Sequence, residues 1–168
     1  IWRGNFLNMT PMWYNRGNGV SVARGVLVPL TPNAQIMQRQ ADGSMAQSFA
    51  KGQYQYRSYT VDEDNRPTFH YSAYGVEVAD QLIPSADRKS IKRQLKMQNK
   101  AAATNDLVFC IAEGKKLAKI DQEYYLVDDQ YYIKTTADAK IEKYANGRSA
   151  LVVPIKGEQK ELAYTIVW

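Results

Sequence analysis

The segment YQYRSYTVDEDNRPTFHYSAYGVEV runs from Tyr54 to Val78, and its reading decides the fold. Tyr54 to Asp62 alternates aromatic and polar residues, which is the period-two signature of a strand. DEDNRP, Asp62 to Pro67, then supplies turn residues, and Thr68 to Val78 resumes a strand. Two such runs around an Asp/Asn/Pro cluster predict a β-hairpin.

The same pattern extends in both directions. VSVARGVLV (Val20–Val28) lies upstream; DLVFCIA, KLAKI, EYYLV, YYIKT, KIEKY, ALVVPI and ELAYTIVW follow downstream. Their separators (EGK, DQ, DDQ, TADA, ANGR, KGEQ) are turn chemistry. Many short strands with turns between them indicate an all-β antiparallel sandwich, jelly-roll or super-sandwich-like, with few short helices. In the last strand Leu162, Tyr164, Ile166 and Trp168 share one face, and Ala163, Thr165 and Val167 share the other. Both faces are fairly apolar, so a central position between two layers is expected.

Two stretches are less regular. Thr31 to Gln53 reads as a long connection with room for a short helix. Ser85 to Asp106 admits a helix or a strand. A helix would stack Arg88, Lys92, Lys96 and Lys100 as like charges at i,i+4, which is unfavourable. A strand turns Ile91, Leu95 and Met97 inward and Arg88, Ser90, Lys92, Gln94 and Lys96 outward, although Arg93 then spoils the inner face. The strand is the favoured reading.

Apolar residues make up 45% of the 168, enough for one domain, residues 1–168, with a substantial core. The single cysteine, Cys110, excludes an internal disulfide and reads as an inert core thiol. One cysteine and one histidine cannot build a four-ligand Cys/His zinc site, and no CxxCH is present for haem attachment. The net charge of +5 comes mostly from Arg88 to Lys100, where no aromatic is interleaved, so nucleic acid is not an expected partner. No apolar run reaches the roughly 20 residues of a membrane span. The chain opens at Ile1 inside a segment that reads as ordered, IWRGNFL, as expected of a mature chain or of a fragment of a larger multidomain protein.

Candidate ligand residues cluster first in NMTPMWYNRGNG, Asn8 to Gly19. Asn15 to Gly19 is turn chemistry, and Pro11 fixes the approach. Trp13 and Tyr14 form a candidate platform, with Asn15 and Arg16 as hydrogen-bond donors, an arrangement suited to sugars or other polar ring compounds. The other reading has Met9, Met12 and Trp13 plugging one end of the sandwich. Tyr59, Asp62 and His70 are further candidates in the hairpin, where a turn carboxylate and a sheet-face histidine are the plainer roles. The pairs Asp62/Asp64 and Asp128/Asp129 also lie at turns. The GxGxxG, Walker A and EF-hand patterns all fail here.

These residues resemble a β-rich region of large secreted bacterial proteins that combine a c-type cytochrome domain with quinoprotein-like sugar dehydrogenase propellers. Trp2, Gly4 and Phe6 match a W-x-G-x-F/W opening. Trp13, Arg16 and Gly17 match a W-x-x-R-G loop. Tyr59, Asp62, Pro67, Phe69, Tyr71, Gly75, Val76 and Val78 match the hairpin, with Asn65 where a turn glycine is common. The resemblance covers the first half of the chain and carries no catalytic signature. It implies a periplasmic or extracellular location, neighbouring domains as partners, and haem only in other parts of a parent protein, with no cofactor in this chain. The expected function is a non-catalytic accessory module of such an oxidoreductase, binding carbohydrate at Trp13, Tyr14, Asn15 and Arg16. The alternatives are a carbohydrate-active hydrolase or epimerase, and a purely structural inter-domain module.

Overall fold

A computed structural model describes residues 2–8, 22–27, 30, 31, 34–40, 42, 44–46, 48–99, 106–144 and 147–168. It forms two compact units, Ile1–Leu30 and Thr31–Trp168. In the first, β1 (Trp2–Asn8) pairs antiparallel with β2 (Val22–Leu27), with a register shift between Arg3 and Phe6.

The second unit is all β among the described residues. Its strands are β3 (Ile36–Gln38), β4 (Tyr54–Val61), β5 (Pro67–Ala73), β6 (Val76–Pro84), β7 (Ser90–Asn99), β8 (Leu107–Gly114), β9 (Leu117–Lys119), β10 (Tyr124–Val127), β11 (Tyr131–Lys134), β12 (Lys140–Lys143), β13 (Ser149–Pro154) and β14 (Gln159–Val167). One antiparallel sheet has the order β4-β5-β6-β7-β14-β11-β10-β9, and a smaller one has the order β12-β13-β8-β3. The two pack as a sandwich. Phe109 of β8 and Tyr164 of β14 meet across it with ring centroids 6.4 Å apart. Among the described residues no helix is long and apolar enough to cross a membrane.

β8 is buried at every position. Its Val108 and Cys110 face outward into a second apolar cluster with Met37, Met45, Ala150, Val152 and the half-buried Tyr144. Cys110 is fully enclosed, and burial pushes its thiol up to about 12, so the inert reading fits.

The strand over Ser90–Asn99 resolves the ambiguity between helix and strand. Arg93 does sit on the inner face with Leu95 and Met97, but it does not spoil it. Val76, Val78 and Asp80 alternate inward on β6, and the register Asp80↔Leu95, Leu82↔Arg93 makes Asp80 the diagonal neighbour of Arg93. Arg93 Nε donates to Asp80 Oδ1 at 2.8 Å, and Nη2 contacts Oδ2.

Three expectations change. Thr68 to Val78 is not one strand: it folds back at Tyr74 and Gly75, whose φ values of 51° and 80° make a two-residue hairpin turn. A tyrosine rarely adopts positive φ. Here its ring is buried, 5.3 Å from that of Phe49, and its hydroxyl donates to Ser48 O at 3.4 Å. The stretch 31–53 contains β3 and an Arg39↔Met45 bridge where a short helix was allowed for. Within the second unit and among the described residues, β14 is central in its sheet but covered on one face only. Leu162, Tyr164 and Ile166 are buried, while Ala163 is exposed and Thr165 and Val167 are half-buried. Ala163 lies opposite Gln94, and Thr165 lies between Lys92 and Lys134. Their long stems shield this face without a second layer.

Replacing Arg93 by Met leaves Asp80 buried without its cation, and a loss of about 3–5 kcal/mol in urea unfolding is expected. The double variant D80L/R93M is expected to recover most of it. Gly75→Ala, at positive φ, is expected to cost about 1 kcal/mol in the same assay.

Candidate functional site

The β4–β5 hairpin carries three of the residues singled out from the sequence, and its geometry separates them. Asp62 begins the turn. Its Oδ1 accepts from the backbone N–H of Arg66 at 2.8 Å and of Asp64 at 3.0 Å, and its Oδ2 accepts from Gln81 Nε2 at 2.9 Å. These bonds, the Arg66 amide foremost, hold its carboxyl below the usual carboxylate range. Asn65 completes the turn at φ 58°. Asp62 is therefore a turn organiser, and the Arg66–Asp64 ion pair at 2.9 Å lies beside it. The other carboxylate pair behaves alike. Asp128 and Asp129 take φ values of 50° and 56° between β10 and β11. There Asp128 Oδ1 accepts from Lys116 N–H at 2.7 Å, and Asp129 pairs with Lys116 Nζ at 3.0 Å.

Phe69 and His70 are consecutive in β5 and so point to opposite faces of the sheet. Tyr59 lies opposite Phe69 and shares its face, which is the inner one of Tyr71 and Ala73. His70 lies on the outer face, with Nε2 3.0 Å from Thr60 Oγ1. Tyr59 and His70 thus belong to different surfaces. Trp13, Tyr14, Asn15 and Arg16 lie outside the described residues.

Each surface has a concavity. The outer one, about 560 Å³, is bordered by Arg57, His70, Glu77, Lys96, Gln98 and Glu161, among others. Most of these are long side chains with exposed ends, whose ordering would oppose binding. The inner one, about 320 Å³, is a cleft between Gln35, Ile36, Phe49, Tyr54, Tyr71, Ala73, Asp80 and Arg93. Its volume lies at the lower end of small-molecule sites. Its walls are rings in mutual contact: Phe49 stacks on Tyr54 at 5.3 Å and 27°, and Tyr54 meets Tyr71 at 5.7 Å.

The floor of the cleft is the buried ion pair. Beyond Asp80, Arg93 Nη1 donates to Gln35 Oε1 at 2.7 Å and to Tyr164 OH at 3.0 Å. The guanidinium also sits 5.5 Å over the Phe109 ring. Tyr71 OH donates to Asp80 Oδ2 at 3.3 Å. Burial opposes the charge on Arg93, but the hydrogen bond to Asp80 and the Asp80 charge outweigh it, and its pKa lies above the ordinary value. Burial, then the charge of Asp80, likewise raises the Tyr71 phenol, which stays a protonated donor. The cleft therefore offers fixed donors and acceptors with no net charge, under aromatic walls.

None of Gln35, Asp80 and Arg93 stood out as a site residue in the sequence. A signal was present though not read: Asp80 continues the inward alternation of Val76 and Val78, and Arg93 that of Leu95 and Met97, so opposite charges fall at inward positions of consecutive strands. Gln35 carried none, because its place depends on β3 pairing with β8, where Gln35 O accepts from Cys110 N–H at 2.6 Å.

Because the Asp62 carboxyl titrates lower in the folded chain than in the unfolded one, its contribution is complete above the ordinary carboxylate pKa. It is lost as pH falls through the folded value. Amide exchange at Asp64 and Arg66, corrected for intrinsic rate, is expected to accelerate below about pH 4. In Asp62→Ala exchange is expected to be fast already at neutral pH.

No protein-family model matches the chain, and no curated protein or solved structure matches it.

Proposed function

We propose that the chain is a non-catalytic accessory module of a secreted bacterial haem- or quinoprotein-type oxidoreductase, and that it holds a carbohydrate in the cleft over Asp80 and Arg93. The cleft carries this reading. A sugar ring has apolar C–H faces and a polar rim of hydroxyls that both donate and accept. Phe49, Tyr54 and Tyr71 present aromatic surface, and Gln35, Asp80 and Arg93 present donors and acceptors from one floor. Those groups are already ordered by one another, so little conformational freedom remains to be lost on binding. Asp80 is the cleft's one carboxylate among the described residues, and Arg93 holds both its oxygens, which supports binding over acid–base chemistry.

The periplasmic or extracellular setting and the haem-bearing neighbours rest on the resemblance of the first half of the chain. Reading the frame on both sides of the gene tests them: a CxxCH motif and propeller repeats are expected, and a reading frame containing neither overturns the setting.

Ligand binding is tested by isothermal calorimetry against linear neutral oligosaccharides. Tyr54→Ala is expected to weaken binding about tenfold, near 1.4 kcal/mol. Gln35→Ala is expected to remove about 1 kcal/mol, the scale of one hydrogen bond. Heat from no sugar in the panel, or equal affinity in both variants, overturns the cleft as the site.

A further inference from the structure

Tyr54 belongs to the cleft and also begins a row of rings that leaves it. β4 is the edge strand of the eight-stranded sheet and is exposed along its whole length. Tyr54, Tyr56 and Tyr59 are 46%, 51% and 60% exposed. Their spacing in sequence does not put them on one face. Tyr54 and Tyr56 are two apart, but Tyr56 and Tyr59 are three apart, and a regular strand would turn Tyr59 to the opposite side. The strand is not regular. A register shift between Tyr56 and Ser58 accommodates Arg57 as an extra residue, and pairing resumes with Ser58↔His70 and Tyr59↔Phe69. This bulge returns Tyr59 to the face of Tyr54 and Tyr56, which lie opposite Ala73 and Tyr71. Phe69, 37% exposed, widens the row at 6.4 Å from Tyr59.

We infer that the ligand is a single neutral polysaccharide chain, with one unit in the cleft and the following units along Tyr56, Tyr59 and Phe69. This inference rests on the carbohydrate reading of the cleft. Measured along the paired positions of β5, from Ala73 through Tyr71 to Phe69, the row continues the cleft by two steps of two residues, about 14 Å, which is longer than a cleft for one sugar requires. Charge selects the class. The inward positions of β4 and β5 are tyrosine, valine, proline, phenylalanine and alanine, with no cation to meet an acidic chain, and the ion pair on the cleft floor is self-neutralised. Ring orientation selects a single chain over a crystalline surface. Tyr59 and Phe69 are inclined at 46° and Tyr54 and Tyr71 at 39°, so the rings offer no common plane. A free chain can twist to follow them.

The test is a length series. Gluco-, xylo- and manno-oligosaccharides with β-1,4 links, and α-1,4 gluco-oligosaccharides, each from two to six units, are titrated into wild type and Tyr59→Ala. Tyr59 is exposed on an edge strand, and an unchanged thermal transition confirms that the variant folds. For at least one series, wild-type affinity is expected to rise about tenfold from the disaccharide to the hexasaccharide. Tyr59→Ala is expected to bind the disaccharide as wild type does and to lose the rise. Affinity independent of length, with Tyr59→Ala unchanged, overturns the extended row and leaves the cleft intact. Binding of no probe at any length removes the cleft reading and this inference with it. Retention on microcrystalline cellulose without binding of soluble oligosaccharides overturns the single-chain ligand. Concentration-dependent dimerisation abolished by Tyr59→Ala assigns the row to self-association and overturns the inference.

Discussion

Arg93 and Asp80 are charges taken out of water on the inner face of a sheet, and every other feature of the second unit has to accommodate them. A buried guanidinium without a partner costs several kcal/mol, so the register of β6 against β7 is constrained to bring Asp80 diagonally beside it. A slip of one residue would turn one of the two to the outer face and leave the other alone. The same guanidinium reaches across the sandwich to Gln35 and lies over Phe109, so it also ties the larger sheet to the smaller. Apolar contacts such as Phe109 against Tyr164 supply burial, but they fix relative position less tightly than bonds with directional geometry.

That pair is also what gives the cleft its chemistry. A sandwich edge walled by Phe49, Tyr54 and Tyr71 would be an apolar dimple without it. With it, the floor has directional donors and acceptors held in place by a network that includes Tyr71 and Tyr164. Stability and recognition thus draw on the same side chains.

The β4–β5 hairpin divides its residues by face. Asp62 closes the turn through backbone amides, His70 looks outward with Thr60, and Tyr59 and Phe69 look inward beyond the cover of the smaller sheet. The bulge at Arg57 keeps the inward set aromatic across an odd spacing in sequence. An edge strand with unpaired backbone groups and exposed tyrosines invites association, and a ligand or a partner on that face would cover it.

Periodicity is a local property, and the sequence by itself determined what is local. Alternation located most of the strands of the second unit, though not β3 or the break between β5 and β6; Asp62 to Pro67 marked a hairpin turn, and like charges at i,i+4 argued against a helix over 85–106. Long-range pairing was not legible. Whether Arg93 was a defect or a centre depended on Asp80, thirteen residues away in sequence, and on Gln35 and Tyr164, fifty-eight and seventy-one away. Tyr74 and Gly75 looked like strand, because a tyrosine at positive φ is held there by its contact with Phe49 and not by its own preference. The face of Tyr59 was set by one extra residue in the ladder, which no counting by twos reveals. Tertiary structure decided these points because each is an energy shared between residues distant in the chain, where local pattern carries no term for the partner.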